Sequence, residues 1–107
     1  MTLKESIKKH SLEQYPKEAC GLIIKKNNKL KIIPCKNESK NPENHFIISK
    51  QITELSKKIG VLVGFYHSHK EKDGFGLLDK FIAEKFKLKS FIYCLKDDKL
   101  LTYEPKK

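Results

Sequence analysis

The chain has 107 residues, enough for one modest hydrophobic core and not for two, so a single domain over 1–107 is expected and any active site must be built on that core. Its formal net charge is +10, and all 23 basic residues are lysine. Without the bidentate fork of arginine the chain has no strong reader of guanine edges or clamp for phosphates, so its charge is a poor argument for specific nucleic-acid binding.

Leu3, Ile7 and Leu12 recur near helical spacing and predict an amphipathic helix from about Leu3 to Tyr15, with Pro16 disturbing its end. Two apolar runs, Cys20 to Lys26 and Lys29 to Cys35, flank an asparagine pair suited to a tight turn and read as a β-hairpin. The stretch "PCKNESKNPENH" is rich in turn formers and reads as a loop. A short strand is expected at Phe46 to Ile48. Ser49 can then cap a helix carrying Ile52, Leu55 and Ile59, which Gly60 ends.

Val61 to Tyr66 has the nearly continuous apolar pattern of a buried central strand. Leu77 to Phe86 reads as a helix with Leu78, Phe81, Ile82 and Lys85 near one face, followed by strands at Phe91 to Leu95 and Lys99 to Tyr103. The alternation predicts an α/β or α+β domain around a mixed sheet, with a frayed end at "EPKK".

Cys20, Cys35 and Cys94 are odd in number and irregularly spaced, which indicates reduced thiols and a cytoplasmic setting instead of a disulfide framework or thiolate zinc knuckle. The first residues carry charges throughout, so neither a signal peptide nor a membrane span is expected.

The chemistry concentrates in "VLVGFYHSHKEKDGFGLLDK". Residues two apart on an extended strand share a side, so His67 and His69 can aim both imidazoles at one point. Asp79 opens the next helix, from which the loop can return its carboxylate to the strand end. Two histidines and a carboxylate would leave a fourth tetrahedral position on a zinc ion open for water. The same residues have ordinary uses, since His-x-His pairs often serve surface hydrogen bonding and an aspartate at a helix start is common. A hydrolytic site also needs a proton carrier. Glu18, between the first helix and the strand starting at Cys20, is the best candidate by context; Glu71, Asp73 and Glu84 are rivals by composition.

Glu18 in "YPKEACGLI", His67 and His69 in "HSH" and Asp79 in "GLLD" together resemble the JAMM motif of the JAB/MPN metalloenzymes. "IIPCKNESKNPENHFII", "VGFYHSH" and "LLTYEP" look like the prokaryotic branch found in phage tail assembly proteins. The resemblance implies a cytidine-deaminase-like α/β sandwich whose central mixed sheet is flanked by helices. It implies one Zn2+ held by His67, His69 and Asp79, with Glu18 as the catalytic base. The implied reaction is hydrolysis of a peptide or isopeptide bond by a zinc-activated water, on a protein tail, a ubiquitin-like protein or a phage tail component. The pattern departs at Gly76, where the family has a serine that helps hold the water or the oxyanion, at Lys70 in place of a proline, and in a spacer about one residue short. Those departures favour, as the competing expectation, a weakly active or inactive binding or assembly module. Ser68 lies between the ligands and should point away. Cys20 could pair with a histidine as a nucleophile but fits better as a small core residue. His10 and His45 are expected to face solvent or bond locally, and Phe65, Tyr66, Phe81 and Phe91 to fill the core or sheet.

Overall fold

The computed structural model describes residues 1–71 and 75–106. Helix α1, Leu3–Gln14, precedes a hairpin of β1, Cys20–Lys26, and β2, Lys29–Cys35. Next come α2, Lys50–Ile59, β3, Val61–His69, α3, Leu77–Phe86, β4, Lys89–Cys94, and β5, Lys99–Tyr103. The strands form one mixed sheet in the order β2-β1-β3-β4-β5, antiparallel throughout except for the parallel β3–β4 pair bridged by α3. This is the expected α/β architecture, a central mixed sheet flanked by helices.

Local chemistry accounts for the element ends. Thr2 accepts a hydrogen bond from the Glu5 N–H while Glu5 reaches back to the Thr2 N–H, a reciprocal cap that starts α1. Asn27 and Asn28 both take positive φ, 53° and 62°, as a two-residue hairpin turn matching strand twist requires. Ser49 occupies the cap position of α2 without a side-chain cap bond; its carbonyl instead receives the Thr53 N–H and hydroxyl.

Alternation along the strands sorts the core onto two faces. Ile23, Tyr66, Phe91 and Tyr93 pack with Ile7 of α1. Cys20, Leu22, Cys35 and Phe65 pack with Ala83 of α3 on the other side, with Leu62 and Ile82 alongside. His67 and His69 share the parity of Phe65 and therefore belong to the α3 face. Gly21 leaves the room that the Tyr66 ring occupies, since a Cβ there would collide with it.

Several expectations change. Phe46 to Ile48 is not a strand: the Ile47 N–H is taken by the Asn37 side chain and its carbonyl by the Glu38 N–H, which leaves no ladder for the sheet. Leu12 is exposed, and α1 instead buries Ile7, His10 and Ser11. Phe81 is 62% exposed and is not a core aromatic, whereas Phe65, Tyr66 and Phe91 are buried. β3 runs on through both histidines, and β4 starts at Lys89. Near the C-terminus the Lys106 N–H is bound by the Glu84 carboxylate, so 104–106 is anchored and not frayed.

His10 was expected at the surface or in a local bond. It is buried, with Nδ1 2.7 Å from the Tyr66 hydroxyl across the α1 interface. Burial lowers its pKa, partly opposed by the Glu13 carboxylate. Because the folded pKa is depressed, the unfolded chain takes up the proton first as pH falls below about 6.5. This contribution to stability is present above that pH and is lost as pH falls through the folded pKa. In urea titrations between pH 7 and 5, His10→Gln should flatten the slope of stability against pH, by at most about 1.4 kcal/mol per unit. An unchanged slope would dismiss His10 as the titrating group.

Candidate metal centre

The site lies at the carboxyl end of β3, whose two sheet neighbours run in opposite directions. His67 is 1% exposed and His69 7%, with their Nε2 atoms 3.0 Å apart. Phe46 stacks on the His67 ring at 4.3 Å between centroids, fixing one face of the imidazole. Asp79 comes from the first turn of α3, with Oδ1 3.3 Å from His67 Nε2, while Oδ2 accepts the Gly76 N–H at 3.0 Å. Burial pushes the Asp79 carboxyl up, but the His67 hydrogen bond and charge, the Gly76 N–H and His69 outweigh it, leaving its pKa below the ordinary value.

Glu18 arrives from the opposite edge of β3. Cys20 is paired with His67 in the β1–β3 ladder, which puts the residue two before Cys20 beside the strand end. The Ala19 N–H donates to the Ser68 hydroxyl at 2.8 Å, and the Ser68 N–H to the Ala19 carbonyl at 3.0 Å. Ser68 thus points away from the histidine nitrogens, as alternation requires, and fastens the glutamate segment to β3. Glu18 is buried, and ligand atoms of Glu18, His67 and His69 lie within 4.8 Å of one another. Asp79 joins this group through its contact with His67.

Two contributors escaped the sequence reading. Asn37 donates from Nδ2 to the carbonyls of Glu18, Pro42 and His45 and accepts from the Ser39 and Ile47 N–H groups at Oδ1. It organises the loop that delivers Phe46. The only signal was an asparagine in a long stretch of turn formers, where a side-chain amide commonly replaces backbone pairing. Phe46 could have been noticed as an aromatic beside a histidine at the end of that stretch.

The rival carboxylates are elsewhere or peripheral. Glu84 is committed to Tyr103 and Lys106, Glu71 is exposed at the rim beside His69 and Lys70, and Asp73 lies outside the described residues. Burial pushes the Cys20 thiol up to about 12, so no thiolate is available for a cysteine nucleophile at neutral pH. His45 is exposed, with a local contact to Asn41, as expected.

The donor set suits a divalent ion. Two nitrogens bound at about 2.05 Å to one tetrahedral ion are roughly 3.3 Å apart, close to the 3.0 and 3.3 Å separations found around His67 Nε2. The cleft holding these groups has a volume of about 480 Å³ and is also lined by Phe75, Gly76, Leu77, Leu78 and Ile82. Among the described residues, no helix is long and apolar enough to cross a membrane.

Residues 2–74 match the family described as prokaryotic homologs of the JAB domain. The match takes in Glu18 and both histidines and ends before Asp79. The chain is also 32% identical over 65 residues to the tail tip assembly protein K of Escherichia phage N15. That stretch is 61% of this chain but 27% of the relative, so the chain spans about a quarter of that protein's length. The family match and the buried Glu18, His67 and His69 cluster make this chain a member of the prokaryotic JAB-domain family with a site able to coordinate a metal ion.

Proposed function

We propose that the chain is a zinc-dependent peptidase or isopeptidase of the JAMM type, with a cytidine-deaminase-like fold in one domain over 1–107. The observation that carries this reading is the convergence of two buried imidazoles and two carboxylates in one cleft. His67, His69 and Asp79 would hold the ion, and Glu18 is the base. Zinc, when bound, supplies Lewis-acid polarisation of the amide carbonyl and acidifies water.

The protein's own residues do the remainder. Glu18 takes a proton from the attacking water and delivers it to the leaving amine. The ladder and the Ser68 clasp hold Glu18 in register with the histidines, Phe46 orients the His67 ring, and the Gly76 N–H orients Asp79. The phage tail relative favours a protein of an assembling particle as substrate over a small modifier. The test is cleavage of a peptide panel by zinc-loaded protein, lost on chelation and restored by zinc. Zinc binding without any cleavage would leave the alternative, a non-catalytic assembly module.

Gly76 favours that alternative, since it offers no hydroxyl beside the site. The position tolerates one: φ is −80°, ψ is 172°, and an added Cβ would meet only Asp79 Oδ2 at 3.6 Å. Exchanging glycine and serine at a helix cap changes stability by only a few tenths of a kcal/mol, so a change in rate can be read as chemistry. Gly76→Ser should raise kcat, with an upper range of about 10² to 10³ if the hydroxyl reaches the oxyanion. A rate equal to wild type would deny position 76 that role.

A further inference from the structure

The first turn of α3 exposes its largest apolar residues toward the catalytic cleft. Leu77 is 90% exposed and Leu78 62%. Both line the same cleft as Glu18, His67, His69 and Asp79, together with Phe75 and Ile82. The wall is fastened at its ends: Phe75 rests against the Tyr103 ring at 5.7 Å, and Phe46 is stacked on His67. Leu77 and Leu78 line the same cleft with most of their surface in water.

The cleft's volume of about 480 Å³ is within the usual range for ligand pockets and exceeds what an amide group and a water require. Its acidic groups, Glu18 and Asp79, gather at the histidines, with Lys70 at the adjoining rim beside Glu18 and His69, so the charge lies at the metal donors and the wall beyond them is apolar. A glycine or a small polar residue would leave the leucines hydrated. A large apolar side chain would cover them.

We propose that Leu77 and Leu78 form a subsite for a bulky aliphatic or aromatic residue next to the scissile amide. The substrate class is then an extended peptide segment carrying such a residue, and not a tail offering glycine alone. This assignment rests on the peptidase reading for its link to the scissile bond. The leucines face the same cleft as the metal donors, so one peptide can reach both.

The test uses peptides of Gly and Ser with a single central Leu, Phe, Gly or Asp. One set is N-methylated at the central amides to block cleavage. Binding to zinc-loaded wild-type protein, read by fluorescence anisotropy, should be roughly tenfold or more tighter for Leu and Phe than for Gly, with the Asp peptide as the control for direct binding to the metal. The double variant Leu77→Ser, Leu78→Ser should lose the preference while retaining zinc stoichiometry and its weak binding of the Gly peptide. Equal binding of the Leu and Gly peptides, or a preference that survives the double variant, would overturn the subsite. The unmethylated set separates the two ideas: Leu-selective binding without cleavage supports the apolar subsite while rejecting the peptidase reading.

Discussion

Zinc should raise the melting temperature of the wild-type chain by more than about 10 °C, and His67→Ala or His69→Ala should abolish that rise. An ion that binds only the folded state at a thousand times its Kd adds about 4 kcal/mol, and each kcal/mol is worth several degrees in a domain of this size. The proposed ligand atoms are already gathered, with His67 Nε2 3.0 Å from His69 Nε2 and 3.3 Å from Asp79 Oδ1, so little reorganisation opposes binding. Removing either imidazole leaves too few protein donors for a tetrahedral site. The effect should therefore exceed the roughly 10–100-fold affinity loss usual for an outer hydrogen-bonding partner. His69→Ala is the cleaner variant, because His67 also supports Phe46. Far-UV circular dichroism checks that the fold survives, and metal analysis should fall from one zinc per chain to near none. A variant that still binds and is stabilised as wild type would remove these histidines from the site.

Glu18→Gln should keep zinc while lowering hydrolysis by roughly 10² to 10⁴, the range associated with losing a positioned proton carrier. The substitution retains shape and removes the charge and basicity. It separates two roles that proximity alone leaves together, since Glu18 lies within 4.8 Å of both histidine ligand atoms. A base loses turnover and retains metal, whereas a ligand loses both. Paired measurements of zinc content and peptide cleavage distinguish them, and retained turnover would exclude the proton-transfer role.

Much of this arrangement is legible in the chain. The double asparagine between two apolar runs marks the hairpin because few residues accept positive φ in succession. The helix at Leu77–Phe86 and the strand at Lys99–Tyr103 follow their apolar periodicity. Strand parity alone places His67 and His69 on one side and Ser68 on the other.

Periodicity says which residues share a face but not whether another element covers that face. Phe81 therefore reads as a core or sheet aromatic although it is exposed, and His10 reads as solvent-facing or locally bonded although Tyr66 meets it inside. The segment around Phe46 departs from its strand pattern for a different reason. The Ile47 N–H is held by the side chain of Asn37, and a hydrogen bond from side chain to distant main chain leaves no periodic trace.

The clasp between Ala19 and Ser68 divides the site into two mechanically different halves. Glu18, two residues ahead of β1, and the histidines on β3 are held together by one ladder and the clasp, which fixes their spacing. Asp79 and the exposed leucines instead travel together on α3, reached through the segment after His69. A shift of that helix would move Asp79 and the leucines as one unit, while Glu18 and the histidines stay tied to each other through the sheet.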